Sequence, residues 1–301
     1  MELSINISNL MNRYDFGTCI DIYKTAGFTA ADYSLCGMTS DASPFCMEGY
    51  RSLAEEIRRI SDEKGFPITQ THTPFQFNKL WDDPVYFEET IMPRMIRSIE
   101  ISGILGAKVA VVHPIHHMVY RGHEEEIFEL NMRYYNRLLP YCKEYGVMCG
   151  VENMHQPDVL RKRRDHDTCS RAEEFIRYID TLDSEYMIAC LDVGHVELPE
   201  TDETVASMIR ALGHDRLKAL HIHDNDYTND HHLLPYRGRL NWMEIARALG
   251  EIDYTGDFTY EVKGSTVFGA CEDSAVPMLA RHMADVGKHI TSEIDRCRPK
   301  V

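Results

Sequence analysis

The most constraining feature of this sequence is a regular alternation of eight short apolar runs with longer amphipathic segments. Between the runs, apolar residues recur at helical spacing, as in Leu53, Ile57 and Ile60. Strands that alternate with helices predict one parallel sheet with crossover helices. The runs, rich in β-branched residues, cover 4–7, 28–33, 67–73, 109–113, 147–153, 187–195, 217–223 and 258–262. Because eight such units close into a barrel, we predict an α/β fold, a (β/α)8 TIM barrel with residues 1–301 as a single domain.

A doubly wound open sheet is the main alternative to a closed barrel. A dinucleotide-binding sheet of that kind needs a glycine-rich turn after its first strand. Residues 6–15, which follow the first run, contain no glycine. The chain length of 301 residues does not decide, since it permits two domains as well as one barrel of common size. The barrel is therefore the favoured fold.

Charge and cysteine content limit the partners and the compartment. The chain has 48 acidic residues against 32 Lys and Arg, for a net charge of −16, which repels phosphate backbones. No segment approaches the ~20 apolar residues of a membrane span, and the amino terminus does not resemble a signal peptide. The nine cysteines include no CxxC pair and fit a reducing compartment. We expect a soluble cytoplasmic protein that binds neither nucleic acid nor membrane.

Polar side chains stand at the carboxyl ends of six predicted strands, where barrel enzymes carry their catalytic groups. They are His72, His113, Glu152, Asp192, His195, His221, His223 and Glu261. Singly, each has an ordinary explanation, such as a helix cap or a buried ion pair. Together, carboxylates that follow buried runs are costly without a cation or hydrogen-bond partners, and a shared metal would remove that cost. The oxygen-rich set Glu152, Asp192, His221 and Glu261 predicts a divalent metal site, which suits Mn²⁺ or Mg²⁺ better than structural zinc, with Co²⁺ or Zn²⁺ as further alternatives.

These motifs resemble the xylose isomerase-like TIM-barrel superfamily, which contains sugar (phosphate) isomerases and epimerases and the family 2 AP (apurinic) endonucleases. The resemblance covers roughly residues 5–286. Its most specific pieces are Glu-Asn at Glu152, Asp-Val-Gly-His at 192–195, His-x-x-Asp at 221–224, the segment 230–242 and Tyr-Glu at Glu261.

The resemblance implies a function and a set of residue roles. In ketose epimerases of this type the matching Glu, Asp, His and Glu ligate one Mn²⁺, and the two Glu exchange protons with the sugar. Carried over, Glu152 and Glu261 become the catalytic acid/base pair of an isomerase or epimerase that acts on a small keto sugar through a metal-stabilised enediolate. The expected substrate-binding residues are His72, His113, His195, His223, Asp230, His232 and Arg237.

The sequence departs from the epimerase pattern in two places. Tyr227 stands where those enzymes carry an arginine, six residues after the strand-seven ligand. His72, His113 and the pair Asp230 and His232 resemble, with His195, the extra ligands of three-zinc endonucleases. A zinc-dependent AP endonuclease therefore remains an alternative, although the net charge disfavours it. A lyase or dehydratase that acts on a keto sugar or 3-keto glycoside is a third possibility, because it would use the same intermediate.

The long segment 154–170 follows the fifth strand and so lies on the predicted active-site side. It carries the basic run Arg161, Lys162, Arg163 and Arg164. The run is interpreted as a solvated loop; a clamp for a substrate phosphate and a subunit contact are alternatives. The segment has the length of a lid. The outer helices can support a homo-oligomer, but no interface pattern is evident.

Overall fold

The centre of the molecule is a barrel of eight parallel strands. The structure, a computed structural model, describes residues 1–75, 77 and 81–299. The strands of the barrel are β1 (Leu3–Asn6), β2 (Ala30–Ser34), β3 (Ile68–His72), β4 (Val109–Val112), β5 (Met148–Glu152), β8 (Met187–Asp192), β9 (Leu217–His221) and β10 (Phe258–Tyr260). Two further strands, β6 (His155–Asp158) and β7 (Arg163–His166), form an antiparallel hairpin outside it. Each of the eight barrel strands overlaps one of the eight predicted runs.

The strand order is β10-β1-β2-β3-β4-β5-β8-β9, in which every neighbouring pair is parallel. The ring closes between β9 and β10. The Ile222 amide donates to the Thr259 carbonyl at 2.8 Å, and the Glu261 amide donates to the Ile222 carbonyl at 3.1 Å. The predicted (β/α)8 barrel is confirmed.

Helices surround the barrel, and several begin at a side-chain cap. Asp15 accepts a hydrogen bond from the Thr18 amide at the start of α1, and Gly27, with φ of 110°, ends that helix. The helices are α1 (Phe16–Ala26), α2 (Tyr50–Lys64), α3 (Pro84–Tyr86), α4 (Met92–Leu105), α5 (Glu124–Tyr145), α6 (Ala172–Leu182), α7 (Val193–Val196), α8 (Val205–Arg216), α9 (Trp242–Glu251), α10 (Gly264–Val267) and α11 (Val276–Cys297). A π-helical turn, Phe87–Ile91, joins α3 to α4. No helix in the described part of the chain is long and apolar enough to cross a membrane.

The core has two parts, because successive side chains of a strand point to opposite faces. The larger part fills the space between the strands and the helices. A smaller cluster inside the barrel consists of Val109, Val111, Ile188, Cys190 and Ala219. The interior side chains of the same strands continue upward to the carboxyl ends, where Asp192 and His221 follow Cys190 and Ala219 by two residues.

Two differences from the predictions go beyond a shift of one or two residues at a strand end. The run 187–195 was expected to be one strand, but β8 ends at Asp192 and α7 begins at Val193. The cause is local, since the Asp192 carboxylate accepts a hydrogen bond from the His195 amide at 3.0 Å and so caps the turn. Part of the predicted loop 154–170 is the β6–β7 hairpin. Its charged residues do not alternate with apolar ones, which is why no strand pattern is visible there.

Candidate metal centre

Four side chains from the ends of four strands converge at the carboxyl face of the barrel. They are Glu152, Asp192, His221 and Glu261, and one ligand atom from each lies within 4.8 Å of the others. His221 Nδ1 is 3.1 Å from Glu152 Oε1 and 3.2 Å from Glu261 Oε2. Three of the four are fully buried, and Glu261 is 21% exposed. Atoms at this spacing can share one cation with bonds of about 2 to 2.6 Å.

In this cluster, the carboxylates and the imidazoles shift each other's pKa values toward the charged forms. Burial opposes the ionisation of Glu152, but His221 and His113 hold the pKa of that carboxyl well below its usual value. Burial also opposes a charge on His221, but Glu261 and Glu152 raise the pKa of this imidazole to about 9. The three carboxylates therefore need a proton or a cation among them. The donor set and the spacing fit a divalent metal ion, whose binding would release the His221 proton.

Two more histidines contact the second oxygen of Glu152. His113 Nε2 lies 3.0 Å and His72 Nε2 lies 3.3 Å from Glu152 Oε2. Phe75 stacks on the His113 ring, with 4.1 Å between the ring centroids. Glu152 thus presents one oxygen to His221 and the other to His72 and His113. Both oxygens of the Glu152 carboxylate therefore have imidazole partners.

A separate group lies next to Asp192 and has Asp230 at its centre. Asp230 Oδ2 is 2.9 Å from His232 Nε2 and 3.5 Å from His195 Nε2. His223 Nε2 is 2.9 Å from the Asp192 carboxylate. Ligand atoms of His195, His223, Asp230 and His232 all lie within 4.8 Å of one another. The structure therefore contains a second cluster, whose histidine and aspartate side chains are of the types that bind metal ions.

Asn153 and Asp224, two residues of the sequence motifs, position the site through hydrogen bonds to its backbone and loops. Asn153 accepts from the Asp192 amide at 2.8 Å and donates to the Asp192 carbonyl at 3.0 Å, which ties β5 to β8. Its own carbonyl lies 2.8 Å from His195 Nδ1, so His195 turns Nε2 toward Asp230. The Asp224 carboxylate accepts from three loop amides, those of residues 238 to 240, and from the indole of Trp242. This anchors the loop that carries Asp230.

The structure brings together all but one of the predicted site residues. Arg237 is exposed and borders another cavity, whose lining includes Leu234 and His282. Its predicted role in substrate binding stays a prediction. One residue that sequence reasoning missed is His155, whose ring centroid is 4.6 Å from that of His195. Its only sequence signal was its place in the segment after the fifth strand, two residues past Asn153.

The family follows from a comparison with known proteins. The model of the xylose isomerase-like TIM barrel family matches residues 20–285, which is most of the chain. The chain belongs to this family. It is 32% identical over 275 residues to the uncharacterized protein y4fM of Sinorhizobium fredii, with 82% of each chain covered. It is 27% identical over 225 residues to the D-psicose 3-epimerase of Enterocloster bolteae, with 70% of this chain and 68% of that protein covered.

Solved structures of the xylose isomerase-like family share the fold. A D-psicose 3-epimerase crystallised in the presence of D-fructose superposes with a TM-score of 0.73 at 17% identity, covering 96% of this chain and 99% of that one. The IOLI protein with a bound zinc atom superposes with a TM-score of 0.70 at 15% identity over 100% of both chains. At this identity the likeness concerns the fold, and the site must be argued from its own residues.

In this member of the xylose isomerase-like family, two arginines of the basic run in the β6–β7 hairpin are paired with carboxylates. Arg161 pairs with Asp158 at 2.8 Å, and Arg163 pairs with Glu200. At the tip of the hairpin, Val159 and Leu160 are exposed. Because acidic neighbours satisfy two of its arginines, the run has less charge to offer an anionic ligand than its sequence suggests.

A partly buried carboxyl on α6 predicts a pH-dependent stability. Burial raises the pKa of Glu174 to about 7, against the smaller lowering effects of Tyr120 and the Cys169 amide. The folded chain therefore holds this proton more tightly than the unfolded chain, and the stability it contributes is lost as pH rises from about 4.5 to about 7. We expect a loss of about 2–3 kcal/mol over that range.

The measurement is urea denaturation of metal-free protein across this pH range, beside Glu174→Gln, whose neutral side chain removes the titration. The variant should show a flatter pH profile than the parent chain. Equal slopes in the two proteins would show that another group is responsible.

Proposed function

We propose that this protein is a divalent-metal-dependent isomerase or epimerase that acts on a small keto sugar or sugar derivative. The observation that carries the proposal is the convergence of Glu152, Asp192, His221 and Glu261 within 4.8 Å at the carboxyl face of the barrel. The family includes a relative named D-psicose 3-epimerase, which supports sugar chemistry. Mn²⁺ is the proposed metal, because three of the four ligands are carboxylates.

The two glutamates are the proposed acid/base pair. One removes a proton from the carbon between the carbonyl and the hydroxyl of the sugar, and the other returns a proton. A bound divalent cation would supply Lewis-acid stabilisation of the negative charge that develops on the two sugar oxygens. Glu261 is 21% exposed while Glu152 is 1% exposed, so Glu261 is the more accessible to a substrate. His72 and His113 hold Glu152 in place through its second oxygen.

The second cluster is proposed to bind the substrate. His195, His223, Asp230 and His232 lie beside Asp192 and offer both donors and an acceptor to sugar hydroxyl groups. Phe75, stacked on His113, is placed to form an apolar wall. Sugar recognition commonly needs such a mixture of polar groups and one apolar face.

The test combines metal analysis with proton exchange. Purified protein is expected to contain a divalent metal, and incubation with a panel of ketoses in D₂O is expected to put deuterium at the carbon next to the carbonyl of one of them. NMR reads the exchange and also the product, since an epimer indicates an epimerase and a lost substituent indicates a lyase. A protein that neither retains nor takes up a metal would contradict the proposal.

A zinc-dependent AP endonuclease is the second candidate, and the extra ligands favour it. The contacts of His72 and His113 with Glu152, together with the cluster around Asp230, provide room for more than one ion. Against it, the net charge is −16 and two arginines of the basic run are paired. About three zinc ions per chain, together with cleavage of an abasic duplex at moderate salt, would reverse the ranking.

We further propose that the partner is a small-molecule sugar and that the protein works in the cytoplasm. All nine cysteines are free thiols, and five of them are buried, as suits a reducing compartment. A homo-oligomer built on the outer helices remains a proposal, which the mass of the protein in solution would test.

A further inference from the structure

The interior of the barrel below the metal centre has an apolar half and a polar half. Strands β4, β8 and β9 supply the apolar cluster defined above. On the other side, Asp32 pairs in register with Gln70, and Gln70 pairs with the interior residue Val109. Because residues in register share a face of the sheet, Asp32 and Gln70 also point into the barrel. By the same reasoning Ser4 and Thr259, which pair with each other, face the interior.

The polar half contains buried groups that have no partner among the described residues. Ser4 Oγ, Gln70 Nε2, Thr259 Oγ1 and both carboxylate oxygens of Asp32 are of this kind. Asp32 is 1% exposed. A buried carboxylate is costly unless something donates to it, so Asp32 calls for a specific donor.

His221 provides a buried donor that is close enough for its charge to act on Asp32. Its Nδ1 faces Glu152 and Glu261 in the metal centre, so the ring must carry its proton on Nε2 when Nδ1 is a ligand. His221 Nε2 is buried and lacks a partner in the described part of the chain. His72, the other nearby imidazole, has both nitrogens engaged, Nδ1 with the Thr73 carbonyl at 2.8 Å and Nε2 with Glu152.

We infer that Asp32 is a positioning residue that acts through His221, accepting the Nε2 proton of that ring by way of a buried water. The inference rests on the proposed metal centre. Burial raises the pKa of Asp32 to about 6, and of its charged neighbours His221 does most to favour the ionised form, ahead of His72. The hydroxyls of Ser4 and Thr259 can complete the hydrogen bonds of such a water, which typically has two to four polar partners.

The consequence is that Asp32, from inside the barrel, controls the tautomer and the orientation of the proposed metal ligand His221. A carboxylate that accepts from one nitrogen of a histidine fixes the tautomer and the ring orientation and makes the other nitrogen a better ligand. Loss of such a partner typically weakens metal binding by about 10- to 100-fold. Asp32 would thus set the affinity of the centre without touching the metal or the substrate.

The test measures Mn²⁺ affinity of the full chain by competition with a chelating dye. Asp32→Asn, which keeps the shape and removes the charge, is expected to weaken Mn²⁺ binding about 10- to 100-fold. Glu174→Gln is the matched control, because it neutralises a partly buried carboxyl outside the barrel and should leave the affinity unchanged. Wild-type affinity in Asp32→Asn would overturn the inference. Failure of the wild-type protein to bind Mn²⁺ would instead refute the metal centre itself, so the two failures are distinguishable.

A second measurement does not depend on the variant folding. In ¹⁵N-histidine-labelled wild-type protein loaded with Zn²⁺, the His221 ring is expected to be protonated at Nε2, with that proton protected from exchange with solvent. The signal is assigned by its loss in His221→Gln. A His221 ring that binds the metal through Nε2, or whose Nε2 proton exchanges freely, would overturn the inference.

Discussion

Glu152→Gln and Glu261→Gln are each expected to lower the rate of deuterium exchange into the ketose substrate by at least about 10²- to 10⁴-fold, the usual contribution of a general acid or base. Glutamine keeps the size of the side chain but can neither take up nor release the proton. Because each glutamate also lies in the ligand cluster, the substitution removes one negative charge from the metal site. NMR of the substrate in D₂O, with saturating metal, gives the rate.

Two controls separate this effect from general damage. Glu173→Gln neutralises an exposed carboxylate on α6 and should exchange at the wild-type rate. His223→Ala removes a ring of the second cluster and should retain part of the activity, since that ring is outside the acid/base pair. Full exchange in either the Glu152 or the Glu261 variant would remove the acid/base assignment and leave only a metal-binding role.

Metal removal is expected to have the largest effect on stability. Without a cation, the buried carboxylates of Glu152 and Asp192 stand beside Glu261 with only histidine protons to offset their charge. A ligand present at about 1,000 times its dissociation constant stabilises the folded state by about 4 kcal/mol. We therefore expect protein stripped with EDTA to gain about 4 kcal/mol in free energy of unfolding when Mn²⁺ is added at that excess.

Denaturant titrations with and without Mn²⁺ measure this gain. Asp192→Asn should lose most of it, because the substitution replaces a fully buried anionic ligand with a neutral amide. In the metal-free protein the same substitution should lower the stability, because, against the opposing effect of burial, His195 and His223 hold the pKa of the Asp192 carboxyl below its usual value. Identical unfolding curves for wild-type protein with and without Mn²⁺ would argue that the cluster does not bind the ion.

The sequence carried enough information for the barrel and for most of the candidate metal centre. The alternation of eight apolar runs with amphipathic segments determines a parallel barrel, because both patterns are local and bury their apolar faces only against each other. Glu152, Asp192 and His221 end buried strands, and Glu261 follows one closely, so parallel strands necessarily carry all four to one face. The fold class alone was therefore enough to predict that these four residues lie close together.

Other parts of the site depend on the path of the loops and on which atom of each side chain forms a hydrogen bond. Asp230 and His232 belong to a loop whose position is set by the hydrogen bonds that Asp224 accepts, and His155 reaches His195 from a hairpin. Asp32 looks like one polar residue in an apolar strand until the register places it inside the barrel. Strand periodicity fixes which face a residue occupies, but loop paths and hydrogen-bond partners depend on contacts between residues far apart in the chain, and only the tertiary structure decides these.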